Sequence, residues 1–344
     1  MMSSFAYMLL FCMFAAGSFA FPNADSLLQR VKYFEKEVAL EMDLSARLLT
    51  EGVLRFEAEQ QTSDSSIPDL VKSLGLTTLL DLVVKAGLAP TLSGPGPFTV
   101  FGPTNEAFKN LPEWAKTILA NKTVLANVLK FHVLPGNVPS TSLKDELLVN
   151  TALPGKKLRV NIYSDSSANG VTVVTTQCAP IDLKRIDKKA SNGLVHVLNS
   201  VMIPPLGNIV ESVVACPVFK TLVTAVKVAG LVDALSGDGP LTLFAPTDKA
   251  FKKLPPGVLN RLLKNVTALQ QVLEYHVVPE TYCSAGLATG LYKELTTLIK
   301  QKVTINLSRG GVTVNDAKVI VADGSVSNGV VHAIDTVLIP PGMI

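Results

Sequence analysis

Along this chain the spacing of hydrophobic positions changes from helical to strand-like, and it does so twice in the same order. Leu70, Leu74, Leu79, Leu82 and Val83 recur at helical spacing, and Val210, Val213, Val214, Leu222 and Val226 do so again later. Residues three and four apart share one face of a helix, so each set predicts helices with one apolar side. A short apolar run then leads into Pro103-Thr104-Asn105 or Pro246-Thr247-Asp248, a turn that suits helix starts at Glu106-Ala107-Phe108 and Lys249-Ala250-Phe251. More helix is expected from Trp114 to Leu119 and from Val258 to Leu263. Beyond these the period falls to two. Leu158, Val160 and Ile162 alternate with polar neighbours, as do Val303, Ile305 and Leu307. Each run meets a second, Val171 to Thr175 or Val312 to Val314, across Asn169-Gly170 or Gly310-Gly311, which predicts hairpins. The expected class is α+β, with helices early and antiparallel strands late in each unit.

The doubled pattern is a duplication. FTVFGPTNEAF from Phe98 matches LTLFAPTDKAF from Leu241, displaced by 143 residues. LKFHVLPG from Leu129 matches LEYHVVPE from Leu273, and NGLVHVLNSVMIPP from Asn192 matches NGVVHAIDTVLIPP from Asn328. The blocks keep their order, so whole domains are repeated. The displacement falls from 144 at the middle block to 136 at the last, a difference that loops absorb.

Ahead of the repeats, residues 1–20 carry no charge, run apolar from Phe5 to Ala16, and end in small residues at Ser18 and Ala20. They read as a signal peptide cleaved after Ala20. Ala24 to Gln60 carries an amphipathic stripe through Leu27, Val31, Phe34, Val38, Met42, Leu49, Val53 and Phe56, so residues 21–66 are expected to be a helical leader ending in a hinge. The stripe suits either packing on the first domain or pairing with another chain. The expected domains are 67–206 and 207–344. No later segment is a membrane-span candidate, and the mature chain is expected to be soluble outside the cell.

Charge refines this picture. Of the 31 basic and 28 acidic residues, 5 basic and 9 acidic lie between Phe21 and Ser66, leaving that segment at −4 and the rest at +7. A mildly basic globular part suits a solvated surface or loose attraction to acidic polysaccharide. Of four cysteines, Cys12 would leave with the signal peptide, so Cys178, Cys216 and Cys283 remain in an oxidising compartment; by spacing alone any two of them could pair.

All four histidines, His132, His196, His276 and His332, lie in the repeated blocks among aliphatic residues, without metal-ligand spacing nearby. They read as buried core histidines. The Gly94-Pro95-Gly96-Pro97 and Gly237-Asp238-Gly239-Pro240 segments are turns, and no nucleophile elbow or nucleotide-binding fingerprint is present. Neither catalytic residues, metal nor cofactor are expected, and the protein is not read as an enzyme. Lys184, Arg185, Lys188 and Lys189 are interleaved with Asp182 and Asp187, unlike a nucleic-acid-binding patch. Sequons stand at Asn121, Asn265 and Asn306, the first two at equivalent positions of the repeats, so an exposed loop bearing glycans is expected there.

The blocks F-x-x-P-T-[ND]-x-A-F, [FY]-H-V and N-G-x-V-H-x-[IL], in that order and twice over, resemble the signature segments and Tyr-His motif of the fasciclin domain family, over residues 67–341 or so. The resemblance implies a strand wedge flanked by helices in each domain. It also implies a secreted matrix or adhesion protein, with matrix proteins or integrin-type receptors as partners. The adhesion motif would fall at Tyr275-His276 and, without the hydroxyl, at Phe131-His132. The family's Asp-Ile recognition pair would fall at Asp187-Lys188 and Asp323-Gly324, where Ile is missing, and the chain has no Arg-Gly-Asp. Related multi-domain members join adjacent domains through cysteines at the positions of Cys178 and Cys283, which implies that pair here and leaves Cys216 as a buried free thiol. A self-associating scaffold and a carrier of a small apolar ligand are the other function classes.

Overall fold

The computed structural model describes residues 65–343, apart from 112, 165–171 and 309–310. The signal peptide, Asn169-Gly170 and nearly all of the expected leader lie outside the described residues.

The first unit begins with α1 (Ile67–Ser73), α2 (Thr77–Ala86) and α3 (Ala89–Ser93), and continues through β1 (Phe98–Pro103), α4 (Asn105–Lys109), α5 (Glu113–Leu119), α6 (Lys122–Phe131) and β2 (Val133–Pro135). Its later half holds β3 (Leu148–Asn150), β4 (Lys157–Ser164), β5 (Thr172–Thr176), β6 (Ala179–Pro180), β7 (Lys188–Ala190) and β8 (Gly193–Leu198). The second unit repeats the order with α7 (Ile209–Ala215), α8 (Lys220–Val228), α9 (Val232–Ser236), β9 (Leu241–Pro246), α10 (Asp248–Lys252), α11 (Val258–Lys264), α12 (Val266–Tyr275) and β10 (Val277–Pro279). It ends with α13 (Ser284–Leu287), β11 (Glu294–Thr296), β12 (Lys302–Ser308), β13 (Gly311–Val314), β14 (Ala317–Val326) and β15 (Gly329–Ile334).

The helix starts follow from local chemistry. Thr104 and Thr247 cap α4 and α10, each side chain accepting the backbone N–H of the alanine three residues on, which satisfies a donor that the helix cannot. The next residue ties this turn to the opening helices: Asn105 Oδ1 accepts from Thr78 N at 3.0 Å and Asp248 Oδ1 from Thr221 N at 2.7 Å. Leu79, Val83, Val213, Leu222 and Val226 of the expected stripes are buried, Leu70, Leu74, Leu82 and Val210 are half-buried, and Val214 is 53% exposed.

The strand order departs from an all-antiparallel expectation. The last strand of each unit returns to the first and pairs with it in parallel, Phe98 opposite Gly193 and Leu241 opposite Gly329. A parallel neighbour needs a long crossover, which periodicity within either strand does not reveal. Side chains alternate about this pair. Val100, Val195 and Val197 face the helices, while Phe101 and Leu198 face the hairpin strands, so each unit has two core clusters. In the second unit one sheet runs β10-β9-β15-β14-β13-β12-β11, whereas the first unit has two sheets, β2-β1-β8-β7 and β3-β4-β5-β6. The difference lies in β14, which is continuous where β6 and β7 are interrupted by a helical turn at Leu183–Arg185. Ala179 and Asp187 are eight positions apart, Ala317 and Asp323 six.

The repeated Asn-Gly block closes each unit. Asn192 accepts from Ile67 N at 2.9 Å and donates to the Leu92 and Gly94 carbonyls. Asn328 does the same with Ile209 N, Leu235 and Gly237. The adjoining Gly193 and Gly329 lie at positive φ, where a Cβ would collide with the backbone of Phe98 or Leu241. Removing this clamp leaves buried donors and acceptors unpaired. Asn328→Ala should therefore cost about 3 kcal/mol, at roughly 1 kcal/mol for each of three bonds, read as a lower urea midpoint; an unchanged midpoint would contradict the clamp.

Candidate functional site

The histidines divide into two geometric pairs. His132 and His276 follow the last residue of α6 and α12, where each Nδ1–H donates back to the carbonyl of Val128 or Val272 at 2.7 Å. Each Nε2 accepts a backbone N–H, from Met202 at 3.0 Å or Leu338 at 2.9 Å. His196 and His332, on β8 and β15, use the opposite tautomer. Their Nδ1 accepts from Asp187 N or Asp323 N, and their Nε2–H donates to the Val138 or Tyr282 carbonyl. Both nitrogens of every ring are thus engaged with the imidazole neutral, and an added proton would face an N–H donor. Burial lowers all four pKa values below the usual histidine range, to about 4 for His132 and His276, against smaller opposing effects of the carbonyl hydrogen bonds and, at His332 and His196, of the Asp323 and Asp187 carboxylates. The Asp187 carboxylate lies 3.9 Å from His196 Nδ1, but that nitrogen is already an acceptor, so no ion pair forms.

The candidate adhesion residues lie inside the protein. Phe131, His132, Tyr275 and His276 are at most 2% exposed, so none of these side chains reaches a partner in this fold. The Tyr275 hydroxyl donates to the Lys302 carbonyl at 2.9 Å and accepts from Asn315 Nδ2 at 3.1 Å, fastening α12 to the β12–β13 hairpin. Asp187 and Asp323 also serve the fold. Both have positive φ, and their carboxylates accept from the backbone and hydroxyl of Ser140 or Ser284.

The residues that no motif announced lie where the two units meet. The tight turn between β5 and β6 places Gln177 and Cys178 at positive φ and carries them into the second unit. Cys178 is bonded to Cys283, with a Cα–Cα distance of 5.3 Å, the pairing the family resemblance implied. Gln177 Nε2 donates to Ser325 Oγ at 2.9 Å. On β4, Arg159 pairs with Glu146 at 2.7 Å and also reaches the Ser327 carbonyl, while Glu146 accepts from Thr281 N at 2.6 Å. The Tyr163 hydroxyl donates to the Thr281 carbonyl at 2.8 Å and accepts from Cys283 N at 2.9 Å; its ring leaves Gly286 no room, since a Cβ there would lie 2.6 Å from ring carbons. The alternation of Arg159, Asn161 and Tyr163 with the apolar residues of β4 was the available signal, showing a polar face without showing what covers it.

Cys216 is buried, as expected, but the expectation of a free thiol is corrected: none of the described cysteines is free. The Cys178 and Cys283 sulfurs and the Asp323 carboxylate come within 4.8 Å of one another, but the sulfurs are joined in the disulfide and are not thiolate ligands. Asn121 and Asn265 are exposed N-caps in the short connections between α5 and α6 and between α11 and α12, and Asn306 is exposed on β12.

Comparison with known proteins places this geometry in a class. The fasciclin domain model matches residues 74–204 and 217–340, most of the chain. The chain belongs to the fasciclin domain family. It is similar to the transforming growth factor-beta-induced protein ig-h3 of Sus scrofa, 35% identical over 281 residues, and to periostin of Homo sapiens, 33% identical over 270. The alignments cover 80% and 78% of this chain but 40% and 31% of those proteins, so the chain spans well under half of their length. A solved FAS1 domain pair from the insect cell adhesion molecule Fasciclin I matches at TM-score 0.38 and 18% identity, covering 78% of this chain and 98% of that one.

Two outcomes follow from this geometry. Between an unfolded histidine pKa of about 6.5 and the folded value of about 4 for His132 and His276, the unfolded chain binds more protons than the folded one. Stability is therefore full above about pH 6.5 and declines as pH falls toward 4. Urea midpoints at pH 7 and pH 5 should differ in this sense, and a flat profile would contradict neutral burial. The second concerns the disulfide, which closes a loop of 105 residues and on the chain-entropy model contributes up to about 4.7 kcal/mol. Replacing Cys178 and Cys283 by Ser should lower the melting temperature and split unfolding into two calorimetric transitions; one unshifted transition would show the crosslink to be inconsequential.

Proposed function

We propose that the chain is a secreted extracellular-matrix or cell-adhesion protein, binding integrin-type receptors or matrix components through the outer surface of a fixed pair of fasciclin domains. The observation that carries this reading is the fasciclin match in both halves of the chain, joined across a seam by a disulfide, by the bonds of Arg159 to Ser327 and of Thr281 to Glu146, and by the Tyr163 hydroxyl bonds. A seam of this kind presents two surfaces in one relative placement, which suits recognition of an extended partner more than turnover of a small substrate. The Tyr-His residues act in this reading by holding the fold. No single helix among the described residues is long and apolar enough to cross a membrane, and secretion rests on the expected signal peptide at residues 1–20. We place N-linked glycans at Asn121, Asn265 and Asn306, whose exposure leaves room for them. The net +7 beyond Ser66 suits acidic polysaccharide as an additional matrix ligand.

The test is attachment of cells and of matrix proteins to surfaces coated with the purified chain. The native chain should support saturable attachment above an albumin control. Tyr275→Phe, which removes only a buried hydroxyl, should lower the unfolding free energy by about 1 kcal/mol and leave attachment unchanged. No attachment by the native chain would overturn the adhesive reading, and loss of attachment in a folded Tyr275→Phe variant would return the motif to the binding surface.

A further inference from the structure

The first domain contains an apolar cavity that the adhesive reading does not use. It lies between α2, α3, α6 and β1, has a volume of about 350 Å³, and is walled by Leu79, Val83, Leu92 and Leu129. All four walls are buried side chains of the helix-side core. At its rim stand half-buried Lys130 and exposed Ala152. The volume is at the lower end of the range in which small-molecule sites fall, about 300–1,000 Å³. The space opens to solvent past Lys130 and Ala152, so it is an apolar cleft with an entrance.

The repeat supplies an internal comparison. Ala152 N donates to the Val133 carbonyl at 2.7 Å, and Leu298 N makes the equivalent bond to Val277 at 2.9 Å, so Leu298 occupies in the second domain the place that Ala152 occupies in the first. Lys130 has Glu274 as its counterpart, at the same displacement of 144 that relates Leu129 to Leu273. The first domain thus has a small residue and a cation at the rim, where the second has a bulky apolar residue and an anion. The Lys130 ammonium has no ion-pair partner among the described residues. Apolar walls with a single unpaired cation at the opening match an apolar body carrying one negative charge. At roughly 30 Å³ for each water-sized group, the cavity accommodates an alkyl chain of about ten carbons.

We propose that this cavity is a binding site for a medium-chain fatty monocarboxylate, with its alkyl chain among Leu79, Val83, Leu92 and Leu129 and its carboxylate on Lys130. The site is assigned to the first domain, because the equivalent place in the second carries the bulky Leu298 and the anionic Glu274. Binding there is independent of whatever the outer surface engages.

Isothermal titration calorimetry of decanoate into the purified full chain tests this, with decanol as the uncharged probe. Native protein should bind decanoate at one site per chain, with the negative heat-capacity change of apolar burial. Lys130→Glu should weaken decanoate about tenfold or more, the loss of one charge-assisted hydrogen bond, and leave decanol unaffected. Ala152→Leu, a change at an exposed position, should weaken both probes. Near-ultraviolet circular dichroism and melting temperature establish that each variant is folded, and decanol binding by Lys130→Glu reports an intact cavity. Absence of saturable decanoate binding by the native chain, decanoate affinity unchanged in Lys130→Glu, or undiminished binding of both probes by Ala152→Leu would each overturn the proposal.

Discussion

Each domain depends on the parallel contact between its first and last strands. Between β1 and β8 lie half of the unit's α-helices and its hairpin strands, and four of seven α-helices with the hairpin strands lie between β9 and β15. Without that contact neither the helix-side nor the strand-side core has a wall. The cost of closing so long a loop is met by several short-range interactions at the point of closure: an asparagine that holds the start of one helix and the end of another, and a glycine without which the strands could not approach. The two histidines of each domain lie around the same contact. One is on the closing strand itself, and the other ties the end of α6 or α12 to the segment that follows that strand.

This arrangement explains why some of the architecture was legible in the chain and some was not. The early helices and the two hairpins were readable because each is a local pattern whose period shows directly in residues such as Leu79 and Val83 or Val303 and Ile305. Histidine burial was readable too, since aliphatic neighbours surround each ring. The parallel pairing was not, because nothing within FTVF or GLVHVL says which strand lies alongside. The seam was equally silent: Glu146, Gln177 and Gly286 belong to no repeated block, and their contacts cross between domains. The family resemblance placed the disulfide where the structure has it, although spacing left every pair open. It also suggested that Tyr275 and Phe131 touch a partner, and there the packing decides otherwise, because an aromatic ring at the end of a helix above an apolar sheet is more stable buried than exposed.

The consequence for function is a separation between what defines the fold and what other molecules can reach. The repeated blocks supply caps, clamps and neutral buried imidazoles. What remains outside includes the exposed sequon asparagines, the lysines of the edge strand β7, and the faces that the seam sets side by side. The copies have diverged where the fold tolerates it, at Lys130 and Glu274, at Ala152 and Leu298, and in the interruption between β6 and β7. Two domains of one fold can thereby carry different surface chemistry while keeping the same interior.

The central claim is that the signature histidines are structural, neutral and held in two opposite tautomers. Nitrogen-15 chemical shifts of the imidazole rings in the folded chain test it most directly. The account predicts that His132 and His276 carry the proton on Nδ1 and do not titrate between pH 7 and pH 5.5, and that His196 and His332 carry it on Nε2 and titrate below the ordinary histidine value. Rings that titrate near the ordinary value of about 6.5, or that average between tautomers, would contradict it and return these residues to the solvent-facing surface.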